Sequence, residues 1–406
     1  MSDQIRTIDA SEIEDWVACM GVGFLFEVPE GYGQYLLGDC QLDRTWAAFD
    51  DDRIVGTLRS FPTAFTVPGP TQVSAAALTN VTVSPTHRRR GLLSQMLEAD
   101  LVSSHERGEA IGILVSAEYP IYGRFGYGPA IYGANYVIDS PRVRFLEPSA
   151  GNVELVDRET LRAEAPPVYE EFRATQTGSI ERLGRWWDRV LHQVEVPGAK
   201  LPRGYQALYR TSSGDVEGYL RYNANEETEG MLPKGTLNVE ELVAVTPRAY
   251  QRLWQFCCEV DLLTSVRADD RSVEEMLPWF IEDARSVRQT ARFDFVWVRI
   301  LDVPRALAGR LYSANGRVVV EVTDPLGISD GRYALEASPY GASCERVHET
   351  PEVAMPVAAL GAIYPGGVSL GALARAGWVD EHRPGTVETI DLMFRSADVP
   401  WCSTQF

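Results

Sequence analysis

The sequence predicts a mixed α/β chain, made of two related α/β halves followed by a closing α+β unit. Three observations predict it. Residues 75–83 read as a buried strand, the arginine-rich stretch after them as a basic turn, Leu92, Met96, Leu97 and Leu101 as the apolar face of a helix, and residues 110–116 as the next strand. The run Val243-Ala244-Val245-Thr246-Pro247 then echoes Val81-Thr82-Val83-Ser84-Pro85 at the same place ahead of a second amphipathic helix. From Phe293 onward the pattern changes to alternating strands and short helices rich in Ala, Leu and Gly. With 406 residues and 45% hydrophobic content, the chain has room for two or three cores.

Ser11-x-x-Glu14 has the form of a capping box and opens a helix carrying Trp16, Val17 and Met20. Residues 44–49, 53–62 and 64–67 read as successive strands, with Asp50-Asp51-Asp52 as a hairpin tip. The first unit, 1–150, closes at Pro148-Ser149-Ala150-Gly151-Asn152, which has the composition of a linker. The second spans 151–291. In the register of the echo, Tyr250 stands where Arg88 does and Leu253 where Gly91 does, so only the first half is expected to hold an anion. The third unit, 292–406, carries expected strands at 295–300, 318–322 and 332–337 and helices within 356–377.

Composition narrows the function. The formal charge of −19, from 57 acidic and 38 basic residues, opposes nucleic-acid binding and favours a cationic partner for any acidic cleft. Six cysteines without a CxxC pair and five scattered histidines suggest neither a disulfide framework nor a metal cluster. The N-terminus Met-Ser-Asp-Gln-Ile-Arg lacks the apolar core of a signal peptide, and no apolar run nears the roughly 20 residues of a membrane span. These features lead us to expect a reduced, cytoplasmic protein without a membrane partner.

The chemistry centres on Val81-Thr82-Val83-Ser84-Pro85-Thr86-His87-Arg88-Arg89-Arg90-Gly91-Leu92-Leu93. The first-turn amides of a helix have no partner inside it, and the dipole adds partial positive charge there, so a strand, basic turn and helix start can cradle a pyrophosphate. Gly91 permits close approach. This unit resembles the acetyl-CoA site of GNAT N-acetyltransferases, although Leu93 stands where those proteins generally have Gly or Ala. Ile121-Tyr122-Gly123-Arg124-Phe125-Gly126-Tyr127-Gly128-Pro129-Ala130 and the ending Thr404-Gln405-Phe406 narrow the resemblance to the Eis (enhanced intracellular survival) family, over essentially the whole chain.

That resemblance implies two tandem GNAT-like domains and a sterol-carrier-like domain, with acetyl-CoA as co-substrate and no metal. It places Val81, Thr82 and Val83 along the pantetheine and Arg88, Arg89, Arg90, Gly91, Leu92, Leu93 and Ser94 around the pyrophosphate. Ala117-Glu118 takes the place of the family's usual Ser-Glu. Acetyl transfer to an amine needs a neutral amine, a stabilised oxyanion and a proton for the leaving thiolate. By the resemblance Tyr122 supplies that proton, and the α-carboxylate of Phe406 is the general base. Phe24, Phe26, Glu27, Glu30, Tyr35 and Gln405 are expected to face the acceptor. That acceptor is a cationic amine such as an aminoglycoside or polyamine, or a lysine-bearing peptide. The family implies a homo-oligomer, commonly a hexamer. Two alternatives stay open at this level: a protein that senses acyl-CoA and binds an apolar ligand without turnover, and a biosynthetic acyltransferase dedicated to one acceptor.

Overall fold

The computed structural model describes residues 4–69, 71–148, 150–199 and 204–406. Ser149 of the expected linker and the first three residues of the N-terminal reading lie outside them. A single twelve-stranded sheet runs through both α/β halves. It starts with Gln4–Thr7, Thr45–Asp50, Arg53–Val67 and Thr71–Val83, each antiparallel to the last, followed by Ile111–Val115 parallel to Thr71–Val83. The two strands expected at 53–62 and 64–67 are one, because Pro62, opposite Ala76, keeps a backbone compatible with extension. The first helix, Ile13–Phe24, is introduced by a short turn at Ala10–Glu12. Its capping box is Asp9 with Glu12 rather than Ser11 with Glu14, since Arg6 clamps Glu12 at 2.6 Å while Glu12 accepts from the Asp9 amide at 2.9 Å.

Strand Val287–Ile300 enters between Ile111–Val115 and Gly128–Asp139, antiparallel to both. Residues 295–300 therefore belong to the central sheet and not to the C-terminal unit, and residues 291 and 292 fall inside one strand. The physical sign was available: Phe295 to Ile300 is buried without alternation, as in a strand covered on both faces. Arg299 in that run is ion-paired with Asp324 at 2.8 Å.

Beyond Gly128–Asp139 the second half repeats the first. Strand Gly235–Ala244 leads to helix Pro247–Glu259 and on to the parallel strand Leu263–Ser272. The connections differ: residues 84–91 separate strand from helix in the first half, but only Val245 and Thr246 do so in the second. Tyr250 and Leu253 consequently lie inside the helix and face the core, not at its N-terminus as the sequence register had them. The second copy has lost the turn itself. Its helix start is closed by Thr246, whose hydroxyl accepts from the Ala249 amide at 3.2 Å, and by Pro247, which has no N–H.

The C-terminal unit has a five-stranded sheet in the order Gly341–Arg346, Gly331–Ser338, Gly316–Thr323, Val353–Pro356, Asp380–Glu381. Val318, Val320 and Val322 share a core with helix Val357–Ile363 and with Ile390 and Met393 of helix Thr386–Phe394. After that helix the chain runs back without regular structure to Phe406, against the α/β halves.

Candidate active site

Parallel pairing between Thr71–Val83 and Ile111–Val115 ends at Leu78 with Leu114, and from there the two strands part. A bulge marks the place. Asn80 has φ +53°, its carbonyl accepts from Thr57 Oγ1 at 2.8 Å, and its side-chain oxygen is buried without a protein partner. Ser116, just past the other strand, likewise has a buried hydroxyl without a partner. Two orphaned polar atoms at the mouth of a strand opening fit a polar ligand there. Neither residue was singled out from sequence, although an Asn inside Thr79-Asn80-Val81 departs from strand composition and tolerates positive φ.

Val81, Thr82 and Val83 are half-buried on the freed edge. Val81 and Val83 pack on the core that holds Leu78, Leu114, Tyr122 and Trp297, whereas Thr82 lies against Gly23, so close that a Cβ there would overlap its side chain. Gly23 thereby brings the end of helix Ile13–Phe24 beside the parted strands. Phe24, Phe26, Glu27 and Glu30 follow it and are exposed, while the hydroxyl of Tyr35 is buried without a protein partner.

The turn is held from below. The Ser84 amide donates to Val55 O at 2.8 Å, His87 Nε2 meets Asp50 Oδ2 at 2.9 Å, and Arg90 approaches the same oxygen at 3.5 Å. Arg88, Arg89, Arg90 and Gly91 are exposed; Arg89 has φ +65° and Gly91, the helix N-cap, φ +80°. Leu92 is buried, and Leu93 and Ser94 are half-buried. Helix Leu92–Glu106 has no side-chain cap and no acid in its first turn, leaving its leading amides and dipole unopposed. This contrasts with the closed start of the second copy's helix, and it fits an acyl-CoA pyrophosphate.

Ala117 and Glu118 are exposed past strand Ile111–Val115, and Tyr122 stands just beyond them, buried, its ring 6.2 Å from that of Tyr127. Burial, and then the Glu118 carboxylate, push the Tyr122 phenol up to about 12, so it stays protonated at neutral pH. Tyr127 is fully buried, its ring close against Gly112, and burial raises its phenol further still. Phe406 comes from the other face. Its ring meets Phe61 edge-on at 6.0 Å, and Phe61 pairs with Ala77, one residue before the strands part. Ala75, Ala77 and Ile113 belong to the cluster against which Phe406 and Val115 pack, and Leu78, Leu114 and Trp297 to the cluster of Tyr122. The two clusters meet where the strands part. Gln405 is exposed and donates to Asp270 Oδ2 of the second half at 3.0 Å. All six cysteines are free, and among the described residues no helix is long and apolar enough to cross a membrane.

An uncapped helix start after a bulged strand that parts from its parallel neighbour defines a GNAT acyltransferase, an enzyme whose co-substrate is an acyl-CoA. The sequence model of the acetyltransferase (GNAT) domain matches residues 4–130, a second GNAT acetyltransferase model matches 178–300, and the sterol carrier protein domain matches 303–403. An uncharacterized N-acetyltransferase of Streptomyces avermitilis is 38% identical over 99% of this chain and 98% of its own. N-acetyltransferase Eis of Mycobacterium tuberculosis is 31% identical over 86% of this chain and 84% of its own. The crystal structure of Eis1 from Mycobacterium abscessus superimposes with a TM-score of 0.87 at 31% identity, covering 99% of this chain and all of that one. A GCN5-related N-acetyltransferase from Anabaena variabilis, at 17% identity and a TM-score of 0.86, shares the fold over the full length of both chains. The chain belongs to the Eis family of GNAT N-acetyltransferases.

Proposed function

We propose that this enzyme transfers acetyl from acetyl-CoA to the amines of cationic acceptors, with Tyr122 as general acid and the Phe406 α-carboxylate as general base. The observation that supports the reading is that Phe406 packs with the cluster of Ala77 and Ile113 and Tyr122 with that of Leu78 and Leu114, the residues that alternate along the two strands up to where they part. The pyrophosphate rests on Arg88, Arg89, Arg90, Gly91 and the amides of Leu92, Leu93 and Ser94. The pantetheine follows Val81, Thr82 and Val83, and Asn80, Ser116 and Ala117-Glu118 border the thioester. Attack by the amine nitrogen on the thioester carbonyl forms the C–N bond and a tetrahedral oxyanion, and the nitrogen becomes strongly acidic as it does so. The terminal carboxylate takes that proton. Collapse breaks the C–S bond, Tyr122 protonates the departing thiolate, and solvent returns the proton to Tyr122 from the terminal carboxyl. The products are an N-acetyl amide and CoA, with no covalent enzyme intermediate.

Phe24, Phe26, Glu27, Glu30 and Tyr35 face the acceptor in this reading, and the net charge of −19 draws cations: aminoglycosides, polyamines, lysine side chains. Gln405, held by Asp270, borders the site from the second half. The assembly is a homo-oligomer, by family a hexamer, working in the cytoplasm without metal, nucleic acid or membrane. The test is thiol release from acetyl-CoA across these amine classes, with the parent and with a variant extended by one residue after Phe406. The extension makes the carboxylate a neutral amide and moves the charge by about 3.5 Å. Turnover of cationic amines by the parent and its loss in the extended enzyme are expected; full turnover by the extended enzyme refutes the base.

A further inference from the structure

The second half has its own strand opening. Pairing between Gly235–Ala244 and Leu263–Ser272 ends at Val239 with Ala268, the counterpart of Leu78 with Leu114. Both strands are bulged just beyond: the register shifts between Val239 and Glu241 on one, and between Ala268 and Arg271 on the other, where Asp270 has φ +56°. In the first half such an opening fits an acyl-CoA. Here it meets the chain's own C-terminus.

Residues 401–405 bridge the two parted strands. On one side Asp270 accepts from the Trp401 indole through its carbonyl at 2.9 Å and from Gln405 through its carboxylate at 3.0 Å. On the other, Glu241 pairs at 2.6 Å with Arg182, whose side chain is wholly buried. Arg182 Nε donates to Thr404 Oγ1 at 2.8 Å and Nη2 to the Ser403 carbonyl at 3.1 Å. Its guanidinium lies 3.8 Å from the Tyr169 ring centre and 3.9 Å from that of Trp186, so it is fixed on both faces. Tyr169 Oη also meets Thr404 Oγ1, at 3.0 Å. A cavity of about 260 Å³ remains between the tail and these strands, lined by Trp186, Glu240, Asp269, Asp270, Ser403 and Gln405 among others. Burial falls off after Thr404: Cys402 and Thr404 are each 1% exposed, whereas Gln405 is exposed and Phe406 half-buried. The anchored Thr404 lies two residues before Phe406.

We propose that the second GNAT-like half is a receptor for the C-terminal tail, which fills the opening where a second acyl-CoA would lie, and that Arg182 acts through Thr404 as the positioning residue for the Phe406 carboxylate. This rests on the reading of that carboxylate as the base. Holding Ser403 and Thr404 rigidly leaves only the bonds of the last two residues free, which confines the carboxylate to the neighbourhood of Phe61.

The experiment uses the full-length enzyme and three variants. Thr404→Val keeps shape but removes the hydroxyl that Arg182 and Tyr169 share, Thr404→Ser keeps the hydroxyl, and Gln405→Leu cuts the exposed bond to Asp270 and serves if Thr404→Val does not fold. Two readouts are taken: kcat and KM for acetyl transfer, and the rate at which carboxypeptidase removes Phe406, followed by intact mass. For Thr404→Val we expect kcat to fall about tenfold, KM for acetyl-CoA to stay within about twofold, and Phe406 to be removed several times faster; Thr404→Ser should restore both. Unchanged kcat or unchanged removal in Thr404→Val overturns the proposal, and so does failure of Thr404→Ser to restore them. The one-residue extension separates the two readings. If the extended enzyme is fully active the base is wrong, and the receptor then stands or falls on the carboxypeptidase rates alone.

Discussion

Gly91 offers the sharpest test of the co-substrate site. It is the N-cap of helix Leu92–Glu106 at φ +80°, and a Cβ built on it meets nothing nearer than Gln95 Nε2 at 3.8 Å. Replacement by alanine therefore causes no clash in the free protein. Its cost there is the left-handed backbone, about 1–2 kcal/mol, a small loss in a protein with five hydrophobic clusters. The added methyl occupies the open space in front of the leading amides, where the pyrophosphate is proposed to sit. Losing one charge-assisted hydrogen bond there costs about 1.5–3 kcal/mol, or roughly 10- to 150-fold in Kd. Strain and obstruction are separated by Gly91→Asn, because asparagine tolerates positive φ yet places a larger group in the same space. Titration calorimetry with acetyl-CoA on both variants, alongside their melting temperatures, is the assay. The expectation is weakened binding in both and a lowered melting temperature chiefly in Gly91→Ala. Binding within twofold of the parent in Gly91→Asn, with parental melting, removes the pyrophosphate from this turn.

Tyr122→Phe should lower kcat about 100-fold or more with acetyl-CoA affinity nearly intact, whereas Tyr127→Phe, whose ring belongs to the core, should not; the reverse pattern in steady-state kinetics reverses the assignment. Because the Tyr122 phenol titrates near 12, ionisation of this acid should not depress turnover up to pH 10, and a fall centred nearer 9 that disappears in Tyr122→Phe contradicts its burial. Asp100 is buried on the helix that follows the turn, accepts from Ser60 Oγ at 2.6 Å and Trp46 Nε1 at 3.1 Å, and is pushed up by burial to about 6. Its folded value lies above its unfolded one, so its contribution is complete below the unfolded value near 4 and is lost as pH rises through 6, about 3 kcal/mol in all. Asp100→Asn, whose side-chain oxygen can still accept both bonds, should flatten the fall in melting temperature between pH 4.5 and 8, and equal slopes count against it. Light scattering should return a mass above the 45.1 kDa of one chain, and a monomer at micromolar concentration refutes the assembly.

Much of this architecture could be read from periodicity. The strand ending at Val83, the helix after the basic turn and the echo at 243–247 come out where apolar spacing places them, because strand and helix periods are local properties. What could not be read depends on contacts between distant segments. The strand Val287–Ile300 looks C-terminal in sequence, yet it completes the central sheet beside Ile111–Val115, a pairing that no local pattern encodes. The capping box shifts from Ser11 to Asp9 because Arg6 engages Glu12. Asn80 and Ser116 acquire meaning only when the parting of two strands sets them at one opening. The bond of Gln405 to Asp270 of the second half is likewise a contact between segments far apart in sequence.

The length of one connection accounts for the difference between the two halves. Eight residues between strand and helix let the chain swing out, present three arginines and leave the helix start uncapped. Two residues leave room only for a capping Thr246 and Pro247, which satisfy the Ala249 amide and remove one N–H, so this helix start offers fewer donors to an anion. The parted strands survive in both copies, because they follow from bulges and sheet twist rather than from the turn. An opening that binds no phosphate is still an unpaired strand edge with polar groups to satisfy, and a segment of the same chain can satisfy them without the entropy of a second molecule. Trp401 and Gln405 meet that demand at Asp270, Arg182 beside Glu241 holds Ser403 and Thr404, and Phe406 reaches Phe61 in the first half. On the proposed reading the shorter second turn leaves this opening to the tail, and chemistry in one half depends on packing in the other.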